Sequence, residues 1–573
     1  MDHLSGLDAI FLYTETPETP MHVGGLNIYE LPAGYEGDFL DNLREHIARR
    51  MHLASVFRRK LVNMPFELAN PIWVADDDLD LEYHIRSTVL PKPGSRAQLD
   101  KLVGRLHSSL LDRSRPLWEF YVIEGLETPA DAPPGTRRVA FYSKVHHSAL
   151  DGAAGVALAT AIMDVTAIPR HVRPAPLRRA LSTDNFGIAE LAASGIKNTA
   201  VQTIKLAKTL PTLLRTVARL VRPTPTGGDD KDAVNVAMTH PGGQEKSSWF
   251  APKTPINVSI TNQRVFSSFS LPLAELKHIA KANGVTLNDV VMGICSGALR
   301  HYLADSNCLP DQPLLAGVPI SLREEGNTDM NTQASMMRIS LASHIDDPLA
   351  RLQAIRTASS AAKAMTMSMK TVMPMDFPSL GVPWLLSGAF ALFGRSRLAN
   401  NLPPIANVAI SNVPGPKVAL YMAGAKMLTY YPVSIVTHSL GLNVTVQSYN
   451  GNLDWGLIAC RKAMPDLPEL AKYMMSAHRE LMKLVPLDVV EKSQSMNKVA
   501  ASVVEAAVAQ APANPKAATA RRATGRSATA KAARLKAARL KAAMLSTKLG
   551  PASKRITAVK LSGRAKSRVK KAA

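Results

Sequence analysis

Cysteine is scarce in this chain: 573 residues hold three, Cys295, Cys308 and Cys460. Three cannot build the disulfide framework of a small secreted fold, and their scarcity implies a reducing compartment. The opening MDHLSGLDAIFLYT has neither a basic leader nor a long apolar run, so no secretory signal is expected. Long hydrophobic runs are missing elsewhere too. The best, Leu380 to Phe393, is broken by Pro383 and falls short of the roughly 18 apolar residues that mark a spanning helix. There is no G-x-S-x-G elbow, which disfavours a serine hydrolase. There is no glycine-rich phosphate loop either, so no nucleotide cofactor is expected. Acidic residues are nearly absent from one end. Residues 501–573 hold 18 Lys+Arg against one acid, Glu505, so +17 of the formal +22 sits there and the other 500 residues carry +5.

What the chain does have centres on His146-His147-Ser148-Ala149-Leu150-Asp151-Gly152. Arg137 to His147 alternates with period two, as a strand does, and puts Val139, Phe141, Ser143, Val145 and His147 on one face. Tyr142, Lys144 and His146 take the other, so the two histidines point opposite ways. Ala153 to Asp164 then reads as a helix, with Asp151 and Gly152 at its entrance. Three readings compete for this stretch. One is a packed core histidine with Asp151 as N-cap. A metal site is poorer, because the histidines diverge and no nearby Cys or carboxylate completes a ligand set. The third is general-base catalysis, in which neutral His147 takes a proton from a hydroxyl and supplies roughly 10²–10⁴-fold.

At this length two domains with appendages are expected. Residues 1–166 include a helix with its apolar stripe at Phe39, Leu43, Ile47 and Met51, capped by Asp38. A strand over Phe120–Ile123 is joined by a Pro/Gly-rich loop to the histidine strand. Residues 167–251 read as a crossover of helix and loop. One helix there, Leu213 to Val221, sets an apolar stripe against Arg215, Arg219 and Arg222, which suits a membrane surface or the protein's own body equally. Residues 252–490 form the second domain. Its strands are expected over Gln263–Leu271, Leu314–Ser321, Ala334–Leu341 and Ile405–Ser411, with a hairpin turning at Asn450-Gly451. Thr286-x-x-Asp289 has the form of a capping box opening a helix. Residues 491–573 are Ala/Lys/Arg low complexity. KAARLKAARLKAAML repeats every five residues, which keeps no single helical face and reads as a disordered arm for polyanions, nucleic acid or anionic lipid.

Five motifs together resemble one family. HHxxxDG at His146–Gly152 is similar to the signature of the CoA-dependent acyltransferase superfamily, which includes chloramphenicol acetyltransferase and condensation domains. Leu4–Ala9 with Thr19–Gly25, Pro116-Leu117-Trp118, Thr286–Val291 with Asn288-Asp289, and Ser411–Pro416 resemble, in order, stretches of the bacterial wax ester synthase/diacylglycerol acyltransferase family. Ser148 departs slightly, standing where that family often has Ala.

The resemblance implies an α/β architecture of two chloramphenicol-acetyltransferase-like domains, each a mixed sheet with flanking helices, and an active-site channel between them. It implies acyl transfer from long-chain acyl-CoA, a substrate rather than a cofactor, to diacylglycerol or a fatty alcohol. His147 would be the base, with His146 and Asp151 in supporting and structural roles. Gly152 would permit close backbone approach. Asn288 is the candidate oxyanion donor, beside Asp289; Trp118 reads as a core anchor rather than a substrate contact. No metal is implied. A cytoplasmic enzyme lying peripherally on the inner membrane or on lipid droplets is expected. Two alternatives stand beside it: a condensation-type domain of the same superfamily, and a lipid-droplet or nucleic-acid-binding protein acting through its tail. Nothing in the sequence fixes the oligomeric state or the preferred acceptor.

Overall fold

Apolar residues two apart make strands and three or four apart make helices along this chain, and the computed structural model shows where each lands. It describes residues 2–64, 70–76, 78–130, 132–150, 152–174, 250–321, 334–370, 392 and 398–485. The first part runs through β1 (Asp2–His3), α1 (Gly6–Thr14), β2 (His22–Leu31), α2 (Phe39–Ala48), β3 (Arg59–Val62), β4 (Ile72–Ala75) and α3 (Leu81–His84). It continues with β5 (Ile85–Val89), α4 (Arg96–His107), β6 (Trp118–Glu124), β7 (Arg137–His146) and α5 (Gly152–Ile162). The second part adds β8 (Arg264–Pro272), α6 (Leu273–Ala282), α7 (Leu287–Asp305), β9 (Leu315–Ser321), β10 (Ala334–Ser340) and α8 (Pro348–Lys370). Last come β11 (Val408–Val413), β12 (Tyr421–Met422), β13 (Ala425–Val433), β14 (Leu442–Tyr449), β15 (Asn452–Cys460) and α9 (Leu467–Lys483).

Local signals are met where they were read. Asp38 accepts hydrogen bonds from the backbone N–H of Leu40 and Asp41, and Phe39, Leu43 and Ile47 of α2 are buried. Asn450 and Gly451 both take positive φ, 42° and 89°, so β14 and β15 close as a tight hairpin with Tyr449 opposite Asn452. Among the described residues no helix is long and apolar enough to cross a membrane. The expected helices between Phe186 and Val221 lie outside the described residues, as does the expected tail from 491.

The strands build two mixed six-stranded sheets in the orders β12-β13-β2-β7-β6-β5 and β10-β9-β11-β14-β15-β8, beside a small sheet β1-β4-β3. The fold is therefore mixed α/β with two sheet-centred halves. Helices α1, α2 and α5 cover one face of the first sheet, in a core with Phe141, Val145 and Phe120. Its other face, with Leu26 and Tyr142, packs on α4 and on Phe266 and Ile458 of the second sheet. Helix α4 lies so near β8 that a Cβ on Gly104 would sit 2.8 Å from the Arg264 carbonyl oxygen.

The division at 166 and 252 does not describe the sheets. Strands β12 and β13, which belong to the expected second domain, pair into the first sheet beside β2, with Val433 opposite Gly24. Residues 1–490 form one compact unit. A strand crossing between halves leaves no composition signal, because its apolar residues are the same whichever sheet receives them.

Candidate active site

The histidine strand β7 sits inside the first sheet, antiparallel to β2 on one side and β6 on the other. It ends one residue earlier than its alternation suggests. His146 is its last residue, and His147 opens a 3₁₀ turn, His147–Ala149, that leads to α5. The turn frees His147 from strictly alternating geometry, so its surroundings are set by contacts rather than by strand parity.

His147 is half-buried. Its backbone N–H donates to the Met21 carbonyl at 2.9 Å, and its ring stacks on Phe11 of α1, centroids 3.8 Å apart and planes 13° from parallel. Nδ1 is buried and makes no hydrogen bond to another described residue. Burial pushes the imidazole pKa from 6.5 down to about 4, and neighbouring His146 pushes the same way, while its own carbonyl opposes them. At neutral pH the ring is therefore an uncharged base held in one plane.

His146 is fully buried and differently engaged. Its backbone N–H donates to the Leu117 carbonyl at 2.9 Å. Its Nδ1 accepts from the Ser148 backbone N–H at 3.1 Å and lies 2.6 Å from the Ser148 hydroxyl. A backbone N–H can only donate, so Nδ1 is the acceptor and the neutral ring carries its proton on Nε2. That nitrogen faces the Glu15 carboxylate at 3.4 Å.

Glu15, whose side chain is 2 % exposed, gave no sign of a role in the sequence. It accepts from the Met21 N–H at 2.9 Å and is clamped by Arg113 at 2.8 Å. Burial alone would raise its pKa. His146, the Met21 N–H and Arg113 outweigh it and bring the carboxyl down to about 2. Arg113, Leu117 and Glu119 all come from LDRSRPLWE. Glu119 pairs with fully buried Lys144 of β7 at 3.0 Å, and the Lys144 ammonium also donates to the Ser109 carbonyl. Trp118 is buried at 1 %, its indole N–H on the Phe57 carbonyl and its ring stacked with His84. The stretch around Pro116 thus holds the histidine turn through three neighbours of its tryptophan. Opposite His146 across the sheet, His22 donates from Nε2 to the His107 carbonyl. His107 in turn accepts at Nδ1 from the Tyr142 hydroxyl and donates from Nε2 to the Ser434 carbonyl. Strand parity could have suggested Lys144 as buried. Nothing local marks Glu15, because its side-chain partners, Arg113 and His146, are 98 and 131 residues away in the chain.

The other expected site residues are engaged differently. Asp151 is outside the described residues, and Gly152 is the first residue of α5. Asp289 closes a capping box with Thr286: one oxygen takes the Thr286 N–H and hydroxyl, at 2.8 and 2.7 Å. Its other oxygen takes the Ser359 hydroxyl at 2.7 Å. Asn288 is half-buried on the first turn of α7, and no hydrogen bond joins it to the histidine turn.

The catalytic-domain model of the wax ester synthase/diacylglycerol acyltransferase group matches residues 4–291, and its C-terminal-domain model matches residues 331–482. The chain belongs to the wax ester synthase/diacylglycerol acyltransferase family. It is an acyltransferase. A putative diacylglycerol O-acyltransferase of Mycobacterium tuberculosis is 34 % identical over 490 residues, covering 84 % of this chain and all of that one. The O-acyltransferase WSD of Acinetobacter baylyi is 32 % identical over 482 residues, 83 % of this chain and 95 % of that one. The solved wax ester synthase/diacylglycerol acyltransferase of Marinobacter aquaeolei VT8 superposes with a TM-score of 0.58 at 31 % identity, covering 84 % of this acyltransferase and 98 % of that chain.

Proposed function

We propose that this acyltransferase moves a long-chain acyl group from acyl-CoA to the hydroxyl of diacylglycerol or a fatty alcohol, with His147 as general base. The observation that carries the reading is the state of that ring: uncharged, half-buried and fixed on Phe11 at the end of β7. In the proposed step His147 removes the acceptor's hydroxyl proton as the oxygen attacks the thioester carbonyl. The tetrahedral oxyanion collapses, the carbon–sulfur bond breaks, and CoA thiolate recovers the proton. Glu15 and Arg113 hold His146, which steadies the turn. A donor aimed at the oxyanion is worth about 10²–10³ in rate, and the Asn288 amide is the candidate. The reactants would meet in a passage between the two halves.

The acceptor sets the location. A sixteen-carbon chain gains about 0.8 kcal/mol per buried CH₂, about 12 kcal/mol in all, so its free aqueous pool is minute. The enzyme is therefore proposed to be cytoplasmic and to work at the inner membrane or a lipid droplet. The excess of cations in residues 501–573 supports a polyanion-binding role for the tail, separate from acyl transfer.

The test is purified protein with palmitoyl-CoA and either hexadecanol or dipalmitoylglycerol, following ester and free thiol together. Equal appearance of both is expected with at least one acceptor. Thiol release without ester would mean a thioesterase instead.

A further inference from the structure

At the far end of α5 from the histidine turn, a cleft of about 790 Å³ opens between the end of α2 and residues 169–174. Helix α5 spans 11 residues, or about 16 Å, so the cleft is well removed from His147. Arg49, Arg50, Arg58 and Arg170 line it, and among the described residues Glu45 is the one acid in the lining. Behind the wall, buried Asp164 takes Arg50 at 2.9 Å, and its backbone pairs with Tyr421 of β12. Arg170 reaches over the last turn of α5 and donates to the carbonyls of Thr160, Ala161 and Met163. Arg49 pairs with Glu45 but stays exposed. Arg50 and Arg170 share the one Asp164 carboxylate, which leaves one positive charge in excess between them.

Apolar residues beside this charge face water. Val165 is 70 % exposed and Ile168 is 81 %, in the turn that leads directly to Pro169 and Arg170. Leu53, next to lining residue His52, is 43 % exposed. A fixed cationic cleft bordered by protruding aliphatic side chains matches a surface with phosphate outside and hydrocarbon beneath. A soluble anion would need the charge alone.

We propose that this cleft seats the phosphate of an anionic phospholipid headgroup while Val165, Ile168 and Leu53 enter the acyl layer beside it. The face is then where the acyltransferase meets the surface that carries its acceptor, an inference that rests on the acceptor being lipid-borne. It assigns docking to the folded body, independently of the basic tail.

Hydrogen exchange on the full chain tests it. Phosphatidylglycerol vesicles should slow exchange in residues 46–58 and 163–174, and phosphatidylcholine vesicles should not. Arg49→Glu with Ile168→Asp should abolish that slowing. The same double variant should raise the apparent KM for diacylglycerol in phosphatidylglycerol vesicles by roughly tenfold, about 1.4 kcal/mol, and leave kcat on dispersed octanol unchanged. Three results overturn the proposal: slowing confined to the tail, slowing produced equally by inorganic phosphate or palmitoyl-CoA without vesicles, or a double variant that still docks. Failure of the wild type to esterify any alcohol would strike the acyl-transfer reading instead and leave the exchange result standing.

Discussion

The histidine turn and the Asn288-Asp289 helix start are both short motifs at the mouth of a helix, yet their polar groups are spent differently. Asp289 is closed: Thr286 and Ser359 occupy both of its oxygens, and it is 1 % exposed. His147 keeps a group unspent: its buried Nδ1 has no partner among the described residues, and the residue is half-buried. The first arrangement holds a helix in place. The second leaves an imidazole nitrogen unpaired. A motif's chemistry is thus told by what remains unpaired after folding rather than by its spacing.

The most damaging break is at the unspent group. His147→Ala should lower turnover by about 10²–10⁴-fold, read as thiol release from palmitoyl-CoA, with the circular dichroism spectrum unchanged. A wild-type rate would move the base elsewhere. Next, the two neighbours on α7 should separate. Asn288→Ala should cost about 10²-fold in kcat if its amide meets the oxyanion, with little change in Tm. Asp289→Ala should instead cost about 1–2 kcal/mol of stability, as a lost helix cap does, with turnover per folded molecule retained. Reversed results would make Asp289 the working residue.

Glu15→Gln tests the support behind the turn. Losing the charge against His146 and Arg113 should slow turnover by about tenfold, equal to about 1.4 kcal/mol of misplaced imidazole. Arg113→Ala should give a milder version of the same defect. A drop in Tm without any change in turnover would show that Glu15 serves the fold alone.

The smallest effect is in the pH profile. His147 keeps its uncharged form until about pH 4, so kcat/KM should hold from neutral pH down to about 5 and fall only through about 4. Stability moves over a wider window. Unfolded histidine takes up a proton below its ordinary 6.5, whereas folded His147 waits until about 4 and His107, held down first by burial, until about 3. Stability contributed above pH 6.5 is therefore lost as pH falls toward 3, seen as a declining Tm. An acid limb near 6.5 in kcat/KM would mean that the ring is more solvated in the working enzyme.

Much of this was legible from local pattern. The caps at Asp38 and Thr286 and the Asn450-Gly451 hairpin are each fixed within a few residues, by a side chain bonding nearby backbone or by access to positive φ. The histidine strand was legible too, but not its last residue. Whether His147 continues β7 or turns depends on Met21 holding its N–H, and Met21 is 126 positions earlier. Glu15 and Arg113 were invisible for the same reason. Each is an ordinary surface-type residue until the fold sets one against the other beside a buried imidazole.

The family and the element types were readable along the chain, because motif order and apolar periodicity belong to the order of residues. Only folding settled which sheet β13 joins, that Glu15 stands behind His146, and that Arg49, Arg50 and Arg170 share one cleft. Those outcomes depend on burial and on charges meeting across long loops, where energy is set by distance in space and the order of residues is silent.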